Sequence, residues 1–174
     1  VRTKEEIGVV LGSDGIPLCL NAVEVGKVMA GIYRNWDAGD YTAFCRKFDL
    51  PPDKKYKDYS AGMQRKLCIA VALGHHPKLL LLDEHTAALD PKTAAKVLAL
   101  TEKIVTRDQL TTLMITHNMR DALRYGNRLI MLHNGRVIID VKGEEKQHLQ
   151  IADLLDMFEK ASGSEMASDR LLLG

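Results

Sequence analysis

The sequence predicts an α/β fold, a mostly parallel sheet carrying a helical subdomain, and three observations predict it. Apolar residues between positions 21 and 48 recur at helical spacing. Leu79-Leu80-Leu81-Leu82 is an unbroken apolar run of strand length. After Pro77, strand-like and helix-like segments alternate, the order in which parallel strands are joined by helical crossovers.

Residues 7–11 form a short apolar run ended by Gly12-Ser13-Asp14-Gly15, which reads as a strand entering a turn. A first helix starts near Asn21 and presents Val25, Val28, Met29 and Ile32. A second presents Tyr41, Phe44, Cys45 and Phe48, after a break at 35–40 that carries Trp36, the one tryptophan. Pro51 and Pro52 stop that helix, and residues 53–58 are a charged connector. A third helix opens near Ser60, whose hydroxyl can cap free amides, and closes at Gly74 before His75-His76-Pro77. The leucine run is expected to be a central strand covered on both faces, its burial contributing at most roughly 6 to 12 kcal/mol. Asp90-Pro91 is a cap and first-turn pair opening a helix that buries Ala94, Val97, Leu98 and Ile104. Then come a strand at 113–115, a short helix at 119–125, and strands at 128–133 and 136–141 joined by an Asn134-Gly135 hairpin turn. An amphipathic helix at 151–161 and a loose tail from 162 finish the chain. The domains read as core strand 1–14, helical subdomain 15–73, α/β core 74–161 and C-terminal tail 162–174.

Composition narrows the function. The 174 residues are 46% hydrophobic and 27% charged, the profile of a folded globular chain rather than a disordered one. A net charge of +1 gives no global field to recruit nucleic acid or an anionic membrane. Cys19, Cys45 and Cys68 are odd in number and widely spaced, which argues against a disulfide framework or a cysteine zinc site and for a reducing compartment. No apolar run approaches the roughly 20 residues of a spanning helix, and the N-terminus is charged rather than a signal sequence, so neither spanning nor export is expected.

Asp83 and Glu84 stand where the leucine strand emerges, the edge at which open parallel sheets bind ligands. Four apolar residues followed by Asp is the form of a Walker B strand, whose Asp holds the magnesium of a nucleoside triphosphate. Apolar strands also often end in acids at solvent, so the pair alone leaves both readings open. A second strand ends in Thr116-His117, so Asp83, Glu84 and His117 are expected to converge on one crevice; a lone His there would otherwise be a solvent or cap residue. Ser60-Ala61-Gly62-Met63-Gln64 opens a helix, and exposed amides with a hydroxyl make an anion site or an ordinary cap. His75 and His76 lack a third ligand at helical or hairpin spacing and read as surface histidines rather than a metal site. Residues 12–15 read as a plain turn rather than a phosphate nest.

In this order and spacing, Ser60 to Gln64, Leu79 to Glu84, Ala88-Leu89-Asp90 and Thr116-His117 together resemble the ATPases of ATP-binding cassette (ABC) transporters. The resemblance covers most of residues 7–141 and implies a partial P-loop NTPase core. It implies that Ser60, Gly62 and Gln64 form a variant of the Leu-Ser-Gly-Gly-Gln signature, which reaches across a head-to-tail dimer to the other subunit's ATP. Asp83 would hold Mg2+, Glu84 would be the catalytic base, Asp90 the D-loop carboxylate, and His117 the switch histidine at the γ-phosphate. Residues 1–14 would be the strand on the Q-loop side. ATP, Mg2+, a second ATPase subunit and a transmembrane permease are the implied cofactors and partners, at the inner face of the cell membrane. Nucleic acid is not an implied partner.

The chain departs from that pattern. It contains no Gly-x-x-x-x-Gly-Lys-Ser/Thr phosphate loop; Gly26-Lys27 is its one Gly-Lys pair, with Asn21 and Val28 where Gly and Ser or Thr are needed. Ile7-Gly8-Val9-Val10 resembles the strand leading to the Q-loop, yet Gly12 stands where the glutamine belongs. Tyr59 and Ala61 replace signature residues. The expectation is an N-terminally shortened cassette that binds ATP weakly alone, with an open strand edge beside the strand that leads to His117. Residues 59–78 and the segment from His85 onward resemble different branches, which implies a chimera of two members. The alternatives are a non-catalytic interaction module and a recombined folding unit without selected activity.

Overall fold

The computed structural model describes residues 5–11, 15–86 and 89–162. The turn at residues 12–14, residues 87 and 88 ahead of Leu89-Asp90, and the tail from 163 onward lie outside the described residues. Two compact units, Val1–Ile115 and Thr116–Gly174, each have their own apolar core.

The first unit runs β1 (Ile7–Val10), α1 (Ala22–Ile32), α2 (Ala38–Lys47), a 3-10 turn (Tyr56–Asp58), α3 (Ala61–Leu73), β2 (Leu79–Asp83), α4 (Pro91–Arg107) and β3 (Thr111–Ile115). Its three strands lie in the order β1-β2-β3 and pair in parallel, so β2 is central, with Leu79 opposite Ile7 on one side and Thr111 on the other. Each helix starts where a short polar side chain can satisfy amides that have no partner within the helix. Asn21 and Glu24 form a reciprocal capping box on α1. Asp37, Ser60 and Asp90 accept from the third residue of α2, α3 and α4. Gly26 lies inside α1, where an added Cβ would strike the Tyr41 ring, so the one Gly-Lys pair is helical.

The charged connector is tied down. The Tyr56 amide donates to the Leu20 carbonyl at 2.8 Å, its ring is fully buried, and Lys55 pairs with Glu24 at 2.8 Å. A run of charges conceals the one aromatic that anchors it.

The expectation that the leucine strand is covered on both faces needs correction. Leu80 and Leu82 are 0% and 1% exposed and join Val10, Leu67, Ile69, Val97 and Ile104 in one core. Leu79 and Leu81 are only half-buried, and on the open face Val9, Leu113 and Ile115 are exposed. The described helices of this unit bury the sheet's Leu80 side alone. Among the described residues, the outer edges of β1 and β3 also have no partner strand, so the open edge expected beside the His117 strand is present. Such edges template association unless covered.

The second unit contains α5 (Met119–Arg124), the antiparallel pair β4 (Arg128–His133) and β5 (Arg136–Lys142), α6 (Gly143–His148) and α7 (Ile151–Ser162). Asn134 and Gly135 both have positive φ, 50° and 74°, as a type I′ hairpin turn requires. Met119, Leu129, Ile139, Val141 and Leu154 form its core. The sequence does not signal α6, which lacks apolar periodicity. It is held instead by buried Lys146, whose Nζ donates to the carbonyls of Leu123, Tyr125 and Gly126 at 2.5, 2.9 and 3.1 Å. These carbonyls end and follow α5, where a cation is favoured.

Truncating Leu80 to Ala should lower the stability of the first unit by about 2–5 kcal/mol, whereas Leu113→Ala, on the open face, should cost less than about 1. Urea unfolding of the two variants checks this, and equal losses would contradict a one-sided core.

Candidate functional site

Asp83 is the last residue of β2, half-buried and opposite Ile115 of β3. The Glu84 amide donates to the Ile115 carbonyl at 3.1 Å, so the strand's hydrogen bonding extends one residue past its end. Glu84 then turns with φ 44°, a left-handed conformation that is unusual for a residue with a side chain. The two acids are thus exposed to different degrees at one strand tip: Glu84 is exposed, Asp83 half-covered.

The turn sends the following side chain inward. His85 is 2% exposed, and among the described residues its Nε2 has no hydrogen-bond partner. Burial, with a smaller contribution from the Arg65 charge, lowers its pKa to about 4, so the imidazole is neutral at physiological pH.

Ser60 caps α3, its Oγ accepting from the Met63 amide at 3.3 Å. Asp90 caps α4, accepting from the Thr93 amide at 3.0 Å; hydrogen bonds from the Thr93 side chain and backbone hold its carboxyl below the usual range. Buried Gly62 links the two caps, since an added Cβ would fall on the Thr93 methyl and reach Leu89 at 4.0 Å. The first turns of α3 and α4 therefore lie against each other because residue 62 has no side chain. Both expose the positive end of a helix and its free amides, the arrangement that suits an anion. Gln64 is half-buried, and its Nε2 donates to the Tyr56 carbonyl at 3.2 Å, pinning the 3-10 turn to α3.

His117 follows β3 by two residues, belongs to the second unit and is exposed. Its neighbour Asn118 caps α5, accepting from the amides of Arg120 and Asp121 at 3.0 and 3.3 Å. Within the first unit, Asp83 and Glu84 meet at the tip of β2, and Ser60, Gly62 and Asp90 meet where α3 and α4 begin.

The histidine pair needs correction. His76 is exposed, but His75 is a core residue, 1% exposed, stacked on Tyr33 at 4.1 Å and 9°, with Nε2 3.3 Å from the Ile7 carbonyl. Sequence also missed Thr93, the residue that needs Gly62, because a close approach between helices leaves no local signal beyond the glycine itself.

Residues 9–87 match the ABC transporter family. Over 113 residues the chain is 51% identical to the tyrosine transport ATP-binding protein of Clostridioides difficile, covering 62% of this chain and 45% of that protein. It is 38% identical over 100 residues to the probable ABC transporter ATP-binding protein p29 of Mycoplasma genitalium, covering 58% and 41%. Among solved structures it resembles the dimeric bacterial ABC transporter cassette MJ0796, with TM-score 0.67 and 30% identity over 79% of this chain and 62% of that one. A post-hydrolysis dimer of the same cassette, bound to ADP and Pi, gives TM-score 0.66 and 29% identity with the same coverage. The chain spans less than half the length of the two sequence relatives.

Gly62→Ala should destabilise the first unit by about 1–3 kcal/mol through overpacking, and Thr93→Ser, which removes the obstructing methyl, should restore most of that loss. A double-mutant cycle by chemical denaturation decides; additive losses would mean the two residues do not meet. Acid should also weaken the fold. Unfolded His85 titrates near 6.5 and folded His85 near 4, so between these values the unfolded chain binds more protons. Stability is full above about pH 6.5, and on the order of 3 kcal/mol is lost by pH 4. His85→Gln should flatten that slope in pH-dependent urea melts, and an unchanged slope would contradict a neutral buried imidazole.

Proposed function

We propose that the chain acts in the ATP-binding subunit of an ABC transporter, coupling ATP hydrolysis to movement of a solute across a membrane; the family match over residues 9–87 and the likeness to ATP-binding proteins and cassettes of that family support this reading. The observation that carries this reading is a central parallel strand ending in Asp83-Glu84 in the same unit as two touching helix starts capped by Ser60 and Asp90.

Magnesium suits this donor set. It binds through one or two carboxylates together with phosphate oxygens and water, and Asp83 offers such a carboxylate at the strand tip. Bound there, the ion neutralises charge on the transferred phosphoryl group. Glu84, the more exposed acid, accepts a proton from the attacking water, a role worth typically 10² to 10⁴ in rate. His117 donates to a terminal phosphate oxygen. The Ser60 hydroxyl and the free amides of α3 face a triphosphate held by a second subunit, Gly62 lets that helix start lie close against α4, and Gln64 fixes its approach through Tyr56. Asp90 lines the same junction across the pair.

The 174 residues contain no phosphate loop, so the cradle for the triphosphate comes from outside them. The likeness to a tyrosine transport protein favours an amino acid as the solute. A transmembrane permease receives the motion, with the domain peripheral at the cytoplasmic face.

The isolated chain should show negligible Mg-ATP turnover. Mixed with a cassette whose sequence carries the Gly-x-x-x-x-Gly-Lys-Ser/Thr loop, it should form an ATP-dependent heterodimer by light scattering that Ser60→Arg abolishes. Magnesium-dependent turnover by the isolated chain that disappears in Glu84→Gln would refute the incapacity, and a heterodimer indifferent to Ser60→Arg would refute the signature role.

A further inference from the structure

The turn after α3 brings His76 to the head of α2, 36 residues earlier in the chain. There the His76 Nε2 lies 3.6 Å from Asp37 Oδ2 and 3.7 Å from Asp40 Oδ2, and the three donor atoms all lie within 4.8 Å of one another. We propose that Asp37, Asp40 and His76 bind one first-row divalent cation of the zinc class, with water completing the shell.

The spacing suits a shared ion better than a direct contact. A charge-assisted hydrogen bond would bring nitrogen and oxygen to about 2.7–2.9 Å, shorter than either separation seen here. Ligands about 2.0–2.2 Å from a tetrahedral ion stand roughly 3.4 Å apart, close to the two imidazole–carboxylate separations of 3.6 and 3.7 Å, while the two carboxylates, which lie within 4.8 Å of each other, draw together on binding. The donors also select the ion: magnesium and calcium take oxygen shells, whereas an imidazole beside carboxylates suits zinc, cobalt or nickel. Two carboxylates and a neutral imidazole just cancel a dication.

The ligands are oriented before any ion arrives. Asp37 Oδ1 accepts from the Asp40 amide at 2.8 Å, which leaves Oδ2 turned to His76. The Asp37 amide donates to the Gly74 carbonyl at 2.7 Å and the His76 amide to the Leu73 carbonyl at 3.1 Å, so both ligand-bearing segments are tied to the end of α3. The neighbouring cation does not fill the site. Arg107 feels the Asp40 charge, but its Nε and Nη2 donate to Asp108 at 2.5 and 2.7 Å. Lys47 and His76 in turn act on Asp108, which adds a third acid to the surroundings. The site lies at the end of α3 remote from Ser60, about 20 Å along a 13-residue helix, and does not depend on the nucleotide reading.

The whole chain titrated with Zn2+ against a chromophoric chelator should take up one ion at this site, and Co2+ should give a visible d–d band. His76→Gln and Asp40→Asn should each weaken binding by about tenfold or more and remove the band. Asp37→Asn, which keeps the helix cap, should weaken binding without loss of helical circular dichroism, and His148→Gln serves as the control that changes nothing. No Zn2+ uptake, or uptake unaffected in His76→Gln and Asp40→Asn, would overturn the site and leave an ordinary surface ion pair.

Discussion

The nucleotide site proposed for the first unit depends on β2 being hydrogen-bonded on both sides. With Leu79 fixed opposite Ile7 and Thr111, Leu80 and Leu82 face the helices and Asp83 falls opposite Ile115 at the strand's last position. A slip of one residue would turn Leu79 and Leu81 inward and move the acids to a different place on the sheet edge. The register is held by burial on one side only, because the opposite face of the sheet is open among the described residues. That asymmetry concentrates the stabilising contacts on Leu80 and Leu82, directly behind the candidate catalytic carboxylates.

The same economy appears at the helix starts. Ser60 and Asp90 each satisfy an amide of their own helix, and missing atoms at Gly62 bring the two starts together. Glu84 follows a backbone turn that a side-chain-bearing residue seldom adopts, and the next residue, His85, is locked in the interior as a neutral ring. Such a turn persists only where its surroundings hold it, and here the Ile115 carbonyl and the buried imidazole lie on either side of it.

Much of this was legible in the residues. Asn21, Ser60 and Asp90 announced three helix starts, Gly74 one ending and Asn134-Gly135 a hairpin, because caps and turns are decided within a few residues, whereas α2 ends at Lys47, ahead of Pro51 and Pro52. The leucine run located the central strand but not its one-sided burial, which depends on what packs against it from elsewhere in the chain. Helix α6 was invisible because a single lysine bonding to distant carbonyls holds it rather than an apolar stripe. The pairing of His76 with Asp37 and Asp40 was hidden for the same reason. Ligands 36 residues apart leave no spacing to read, and the adjacent His75, which belongs to the core, made the dipeptide look uniform.

The indole of Trp36 lies in an aromatic group with Tyr33 and Tyr41, its ring 4.9 Å from Tyr41, and packed so closely on Gly74 that a Cβ there would be 2.7 Å from the ring. It is the chain's one tryptophan and belongs to the first unit. Tryptophan emission therefore follows events at the junction of α2 with the end of α3, within the first unit. A fluorescence midpoint and a far-ultraviolet dichroism midpoint would then describe different parts of the molecule, and their separation would measure how far the two units unfold independently.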